Sequence, residues 1–547
     1  MYPSASPPKS EIGLRIVGSN TFGRNSKMSS EQTFNLFESD GFLVDTPGYK
    51  KVVDFPGRIV GRAIYASDRG NFMITVIDNV VFKISGPPGN LTTAAIFNLN
   101  TYTGDVFIDE NIASEIAICD GTDLWIYNFL SGAATKAVLP NSPGTTQPMR
   151  PGYVTYHDGY FIVPDLRSSA WFLSQQNQGL NWFWSAGSQE VNGAIQTKPD
   201  NAVAVLRAPG KGNLIYVFGR NVVEMWYNNG AQLFPYARST SESIDYGCLS
   251  STTIAAMDNF IAFLGVNEKS GPVIMVSTGS GFTRLSTDGI DFKLADVVFP
   301  DRSYGFFYKS DGHTLYQLTF YDPKDNFTLL YDFNTKKFFY LTDELMNHHI
   351  AESVAFFNNT YYFVSIDDGS IYELNSKFTT YDYTVPSNFR VNPNTPIVQE
   401  IPRMRICNSA RQDDTSRFIA NSLTFVVEQG VDPFYPASQL FYLTGEDGVV
   451  LAQESAEGFI GNFLSQEIVD DPYVPRIDMA ISKDGGETFG SYVSKDLNPL
   501  GERKNRVVFW KLGASNDFVA KFKFWSKYRV TVSDGVIQAR VMGASGR

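Results

Sequence analysis

A chain of 547 residues with 43% hydrophobic and 14% aromatic content holds material for more than one packed core and is not a disordered polymer. Its net charge of −12, from 45 basic against 57 acidic residues, disfavours tight sequence-independent gripping of nucleic acid, which needs a basic face to displace counterions. There is no run of 18 apolar residues to make a helical membrane span, and the start M-Y-P-S-A-S-P-P-K-S lacks the apolar core of a secretion signal. Cys119, Cys248 and Cys407 are too few and too far apart for a disulfide framework and suit a reducing cytoplasm.

In chain order, residues 1–56 read as an N-terminal arm followed by first strands. Ile12 to Val17 can add a strand to a sheet elsewhere, and alternation at Phe34, Leu36, Phe42 and Val44 predicts two strands about the turn Ser39-Asp40-Gly41. Residues 57–374 carry a degenerate repeat. Its hairpin turn recurs at Gly70, Gly121, Gly159, Gly212, Asn259, Gly312 and Asn359, at intervals of 51, 38, 53, 47, 53 and 47 residues. Each turn precedes an apolar strand such as N-F-M-I-T-V or L-I-Y-V-F. The clearest unit runs from Cys248 to Ser286: two apolar runs flank Asp258-Asn259, and two more follow Gly271-Pro272 and the turn Gly279 to Gly281. Asp and Asn tolerate positive φ, so that pair suits a tight hairpin. Four strands in about forty residues is the size of a propeller blade.

The predicted fold is therefore all-β: a β-propeller of six or seven blades, with a sandwich-type stack as the competing arrangement. Residues 375–400, polar and Pro-containing, read as a linker or extended strand. Residues 401–547 read as a C-terminal antiparallel β-sandwich-like domain. Its strands are expected at 401–407, 418–428, 476–482, 506–512, 518–525 and 528–541, with an excursion at 436–474.

Candidate chemistry is sparse. Ser482-Lys483-Asp484-Gly485-Gly486-Glu487-Thr488-Phe489 resembles the Asp-box of sialidases, with Phe in place of Trp; its Asp caps backbone N–H groups across a hairpin and is structural. His348 and His349 are adjacent, so on a strand they point to opposite faces and make a poor joint metal site. All four histidines, with His157 and His313, are expected at the surface or in turns. Glu467, Asp470 and Asp471 lack the spacing of a calcium loop and read as a solvated acidic cluster. Trp182, Phe183 and Trp184 look like a sugar platform but fit a core strand better. No phosphate loop, nucleophile elbow or H-E-x-x-H helix is present. These residues lead to no expectation of catalytic, cofactor or metal sites.

Three collinear blocks carry a family resemblance: S-D-G-F-L-V-D-T-P-G-Y-K-K-V with F-P-G-R-I-V-G-R-A-I-Y and N-V-V-F-K-I; N-L-I-Y-V-F-G-R-N-V-V-E-M-W-Y-N-N-G (213–230) with Y-G-C-L-S-S-T-T-I-A; and S-K-D-G-G-E-T-F-G with L-N-P-L-G-E-R-K-N-R-V-V-F-W-K-L-G, within 482–513. The chain resembles the packaged-DNA stabilisation proteins, the tail hubs or nozzles, of short-tailed bacteriophages. The resemblance implies a non-enzymatic structural protein of the virion tail, assembled in the host cytoplasm. It implies a homo-hexamer beneath the portal–adaptor connector that closes the tail channel and retains packaged DNA. The hexamer would carry tail fibres or tailspikes and a tail needle or plug. Genomic double-stranded DNA would pass through it without specific binding, and an acidic channel lining would favour sliding. Pro499, Leu500, Gly501, Arg503, Arg506 and Trp510 are carried over as a structural family signature. The alternative is a carbohydrate- or receptor-binding propeller, with or without glycosidase activity.

Overall fold

A computed structural model describes residues 9–22, 31–184, 189–190, 192–232, 234–277, 281–383, 397–411, 417–429, 442–444, 450–453, 475–497 and 504–541. The chain divides into two units: residues 18–37 with 46–408, and residues 1–17 with 38–45 and 409–547.

The larger unit is a propeller. Six sheets, each from one local stretch of chain, span 61–98, 107–136, 155–194, 202–244, 247–284 and 303–341; in the third, a separate hairpin of Phe183–Trp184 and Gln189–Glu190 precedes the last strand. A seventh takes Ala351–Phe357, Thr360–Ser365 and Ile371–Asn375 and adds the early strand Gly48–Val53, which pairs antiparallel with Ile371–Asn375. Ala351–Phe357 lies against Gly61–Ala66 of the first sheet, so the ring closes at seven. Between neighbouring sheets sit separate apolar clusters: Ile74, Val76, Ile116 and Ile118 join the first to the second, Phe218 and Phe263 the fourth to the fifth, and Val364 and Ile371 with Met73 and Ile77 the seventh to the first. A middle strand covered on both faces has no reason to alternate, which is why Met73–Ile77 is buried throughout and reads as a continuous apolar run.

Six of the expected turns join the first two strands of a sheet. Asp158-Gly159, Asp311-Gly312 and Asn358-Asn359 all have positive φ at both positions, the backbone that matches a twisted two-residue hairpin. Gly121 is the exception: it lies between the second and third strands of the second sheet, Glu115–Cys119 and Leu124–Asn128. The first turn of that sheet is residues 111–114, where Ser114 takes φ 64°. That one-hairpin slip explains the uneven intervals of 51 and 38.

Among the described residues one α-helix is present, Asp288–Ala295 after the fifth sheet; Thr287 caps its start by accepting from the Ile290 N–H. The segment 375–400 contributes the strands Thr380–Tyr383 and Ile397–Glu400, which pair with each other, and Tyr381 also pairs with Tyr49. Its residues 384–396 lie outside the described residues. The strand expected at 401–407 forms as Arg403–Ile406, but in the propeller unit, antiparallel to Gln32–Phe34. Its Arg405 is buried in an ion pair with Glu31 and donates to Thr33 Oγ1 (3.0 Å).

In the smaller unit, Phe418–Gln429 is central, flanked by Lys504–Ser515 on one side and by Gly535–Val541 and Val530–Val532 on the other. Lys9–Leu14 extends this sheet beyond Gly535–Val541, and Phe42–Asp45 pairs with Val530–Val532. The N-terminal segment is thus no single arm: parts of it complete the sheets of both units. The run 528–541 is two strands, separated at Ser533-Asp534, where Asp534 Oδ1 accepts the N–H groups of Ile16 and Val17 (2.8 and 2.7 Å). A second sheet places Arg476–Ser482 between Val493–Asp496 and Val519–Trp525. Phe425 of the first sheet meets Phe522 of the second edge-on at 5.1 Å, which gives the sandwich core. Most of the excursion 436–474 lies outside the described residues; Tyr442–Thr444 and Val450–Gln453 pair as a hairpin within it.

Candidate functional site

A closed ring of sheets brings the ends of its innermost strands together about one axis, the place where propellers present side chains. A cavity of about 470 Å³ opens there, lined by Tyr65, Asp109, Tyr153, Arg207, Met257 and Asp258 among others. Five successive sheets contribute to it. Burial pushes the phenols of Tyr65 and Tyr153 well above their usual range, so both stay neutral donors. Arg207 is exposed into this space and makes no hydrogen bond or ion pair among the described residues.

The two aspartates are engaged. Asp109 Oδ1 accepts the Glu110 N–H (2.9 Å) and its Oδ2 accepts the Tyr156 N–H (2.6 Å), tying the second sheet to the third. Burial raises its pKa against the opposing pull of Arg207 and these donors. Asp258 is paired with Lys309 Nζ at 2.7 Å. Asp109 thus ties two sheets together, whereas the Asp258–Lys309 pair is half-exposed.

Near the starts of the innermost strands, Arg62 is buried and donates from Nε to Gly104 O (2.8 Å), from Nη1 to Asp78 O (2.9 Å) and Thr101 O (2.8 Å), and from Nη2 to Thr101 Oγ1 (3.0 Å) and Thr103 O (3.1 Å). One guanidinium so fixes the crossing from the first sheet to the second. Glu352 is buried, and its pKa is raised by that burial and by Asp105. A second cavity of about 670 Å³ is lined by Asp123, Lys136, Arg150 and Arg167, but its cations are occupied: Lys136 pairs with Asp123 (2.6 Å), Arg150 donates to Gly121 O (2.8 Å) and Arg167 to Pro148 O (2.9 Å).

A family model described as "Bacteriophage P22 Gp10, beta-propeller" matches residues 25–379. The chain belongs to that family. The matched residues include every strand of the seven-sheet ring, so this is a bacteriophage structural β-propeller protein of the DNA-stabilising tail class. No curated protein matches the chain. Among solved structures, the extracellular domain of BT4673 from B. thetaiotaomicron aligns with a TM-score of 0.39 at 10% identity, covering 69% of this chain and 45% of that one. A chain of the mitotic checkpoint complex gives 0.36 at 13% identity, covering 59% and 94%, and U3-55K gives 0.36 at 8%, covering 60% and 98%. The chain thus spans under half of the BT4673 domain.

Within this family's propeller the histidines keep the expected places beside turns but not an exposed setting. All four are buried. His157 Nδ1 meets Tyr236 Oη at 2.7 Å and its Nε2 meets Gly212 O at 3.0 Å; His313 Nδ1 meets Asp332 Oδ2 at 2.9 Å. His348 Nδ1 lies 2.6 Å from Asn326 Oδ1, and His349 Nδ1 accepts from Ala351 N–H at 3.2 Å. A turn that faces a neighbouring sheet needs internal partners in place of water, and imidazole supplies them. Trp182 is core, donating from Nε1 to Gly179 O (2.7 Å); Phe183 and Trp184 form a two-residue strand.

The Asp-box hairpin forms as its sequence implies. Ser482 Oγ and Asp484 Oδ1 bond to each other, Ser482 Oγ accepts the Gly486 N–H (2.8 Å), and Asp484 Oδ1 accepts the Glu487 and Thr488 N–H groups (both 3.1 Å). The Ser482 and Thr488 donors hold the Asp484 carboxyl far below the usual range. Of the signature, Pro499, Leu500, Gly501 and Arg503 lie outside the described residues, as do Glu467, Asp470 and Asp471. Arg506 and Trp510 share one face of the strand Lys504–Ser515 and both are exposed, Trp510 at 67%. Among the described residues no group of three or more His, Cys, Asp or Glu is placed to hold a metal ion.

Proposed function

We propose that this protein is the tail hub, or nozzle, of a short-tailed phage virion. In this reading six copies form a ring beneath the portal–adaptor connector, close the tail channel and retain packaged DNA. The ring carries fibres or tailspikes and a needle or plug, and becomes the conduit at ejection. The observation that carries it is coincidence: the family match over residues 25–379 falls on the residues that close the ring. Buried charges in that ring serve as ties between sheets, which suits a scaffold. The test is assembly. The purified chain should form rings when mixed with a portal–adaptor complex; failure to bind that complex under conditions where the complex is intact contradicts the reading.

The axial cavity with Arg207, Tyr65 and Tyr153 favours one second reading, a propeller that binds a carbohydrate or receptor group. It requires glycan binding by the isolated chain, lost in Arg207→Ala.

A further inference from the structure

Residues 475–541 reverse the sign of the chain: twelve Lys and Arg against seven Asp and Glu, 12 − 7 = +5, within a protein of net charge −12. Part of that excess is ordered on one sheet face. In Val519–Trp525 the side chains of Phe522 and Phe524 are buried, so Lys521, Lys523 and Trp525 face outward. The register sets Arg476 opposite Trp525 and Asp478 opposite Lys523, with Ser494 beyond Asp478.

Each of the three cations sits over an aromatic ring: Arg476 over Trp525 at 5.6 Å, Lys523 over Tyr492 at 5.0 Å and Lys521 over Phe489 at 5.5 Å. Of the two carboxylates on this face, Asp478 is taken up by Ser494 Oγ (2.6 Å) and Trp525 Nε1 (2.7 Å), with Arg476 Nε at 3.8 Å, and Asp496 stands opposite Arg476 at the sheet edge. Neither Lys521 nor Lys523 has a carboxylate within ion-pair distance among the described residues.

We propose that this face, centred on Lys521, Lys523 and Arg476, is a contact surface for the phosphate backbone of double-stranded DNA. The rings hold the long side chains in place without ion-pairing them, so their positive charge remains open to an external anion. Lys521 and Lys523 leave the same face of one strand two residues apart, about 7 Å along the backbone, the scale of the spacing between neighbouring phosphates. The same rings are already covered by cations, so they offer no free stacking platform to unpaired bases or to sugars. The binding is weak, independent of base sequence and sensitive to salt. It gives an acidic protein a local brake on DNA, where composition alone implied unhindered sliding. The proposal rests on the tail reading only for the presence of DNA.

The experiment uses the full chain and a labelled duplex of mixed sequence, with affinity followed by anisotropy as salt is raised. The expected result is duplex binding at low salt that weakens as salt is raised. In the double variant Lys521→Gln/Lys523→Gln the slope of log K against log salt should become shallower by about 2, near 0.9 per lost phosphate contact. The control Lys269→Gln/Lys336→Gln, two exposed propeller lysines, should leave the slope unchanged. An unchanged slope in the first variant overturns the proposal, as does absence of duplex binding at low salt. So does preferred binding of single strands, or of anionic vesicles in place of duplex. Ring formation on the portal–adaptor complex is scored separately, so loss of one result leaves the other standing.

Discussion

The two units place their charge in opposite ways. In the propeller, Arg62, Asp109, Glu110 and the histidines point into the seams and are consumed by partners there. In the smaller unit, Arg476, Lys521 and Lys523 stand outside the sandwich over aromatic rings. A ring of sheets covers both faces of its inner strands, so a polar side chain in a seam survives there as a tie. A two-layer sandwich leaves each sheet one wet face, and that face can be given to a partner. On the two proposals above, the larger unit holds and the smaller touches.

The largest loss of stability is expected at the seventh sheet. Tyr49 is fully buried, stacked on Tyr381 at 4.2 Å and edge-on to Tyr372, Phe363 and His349. Tyr49→Ala should cost about 3–5 kcal/mol, read as a fall in the urea midpoint of the full chain. A cost under about 1 kcal/mol would show that the early strand does not seal the ring. Arg62→Met comes next: several carbonyls in the first seam lose their donor together, for an expected loss of about 2–3 kcal/mol. Loss within error of zero would remove Arg62 as a tie.

A smaller effect depends on pH. Burial lowers the pKa of His349 to about 3, so the folded protein keeps it neutral while the unfolded chain takes up a proton near pH 6.5. Stability is therefore lost as pH falls below about 6.5 towards 3, and His349→Gln should flatten that part of the melting profile. Glu344 slopes the other way: its carboxyl is raised to about 7 by burial, so its contribution is complete below about pH 4.5 and is lost as pH rises through 7. Glu344→Gln should remove that decline. The smallest change is expected at the exposed Asp-box, where Asp484→Ala should speed amide exchange at Glu487 and Thr488 and leave propeller melting unchanged.

The repeat was legible because most of its turns announce themselves. Asp-Gly and Asn-Asn supply positive φ cheaply, so six marks fall on the same hairpin of their sheets. The second sheet misled because its first turn carries positive φ on Ser114, a residue that signals nothing, while Gly121 stood one hairpin later. Ring closure was not legible: Gly48–Val53 pairs with a strand more than three hundred residues away, and nothing local in either says so. The burial of the histidines was not legible for a related reason, since a polar residue at a turn looks wet until a neighbouring sheet supplies Tyr236 or Asp332. On the cationic face, the alternation of Lys521, Phe522, Lys523 and Phe524 was visible. The rings beneath the lysines were not, because Phe489 and Tyr492 reach them only through the fold.

In the proposed function this propeller is built into the tail of a phage particle. Electron microscopy of the particle, with this protein carrying a bound label, tests it most directly. Label is expected in a ring on the tail axis, distal to the connector. Label over the capsid shell, or particles complete without the protein, would contradict it.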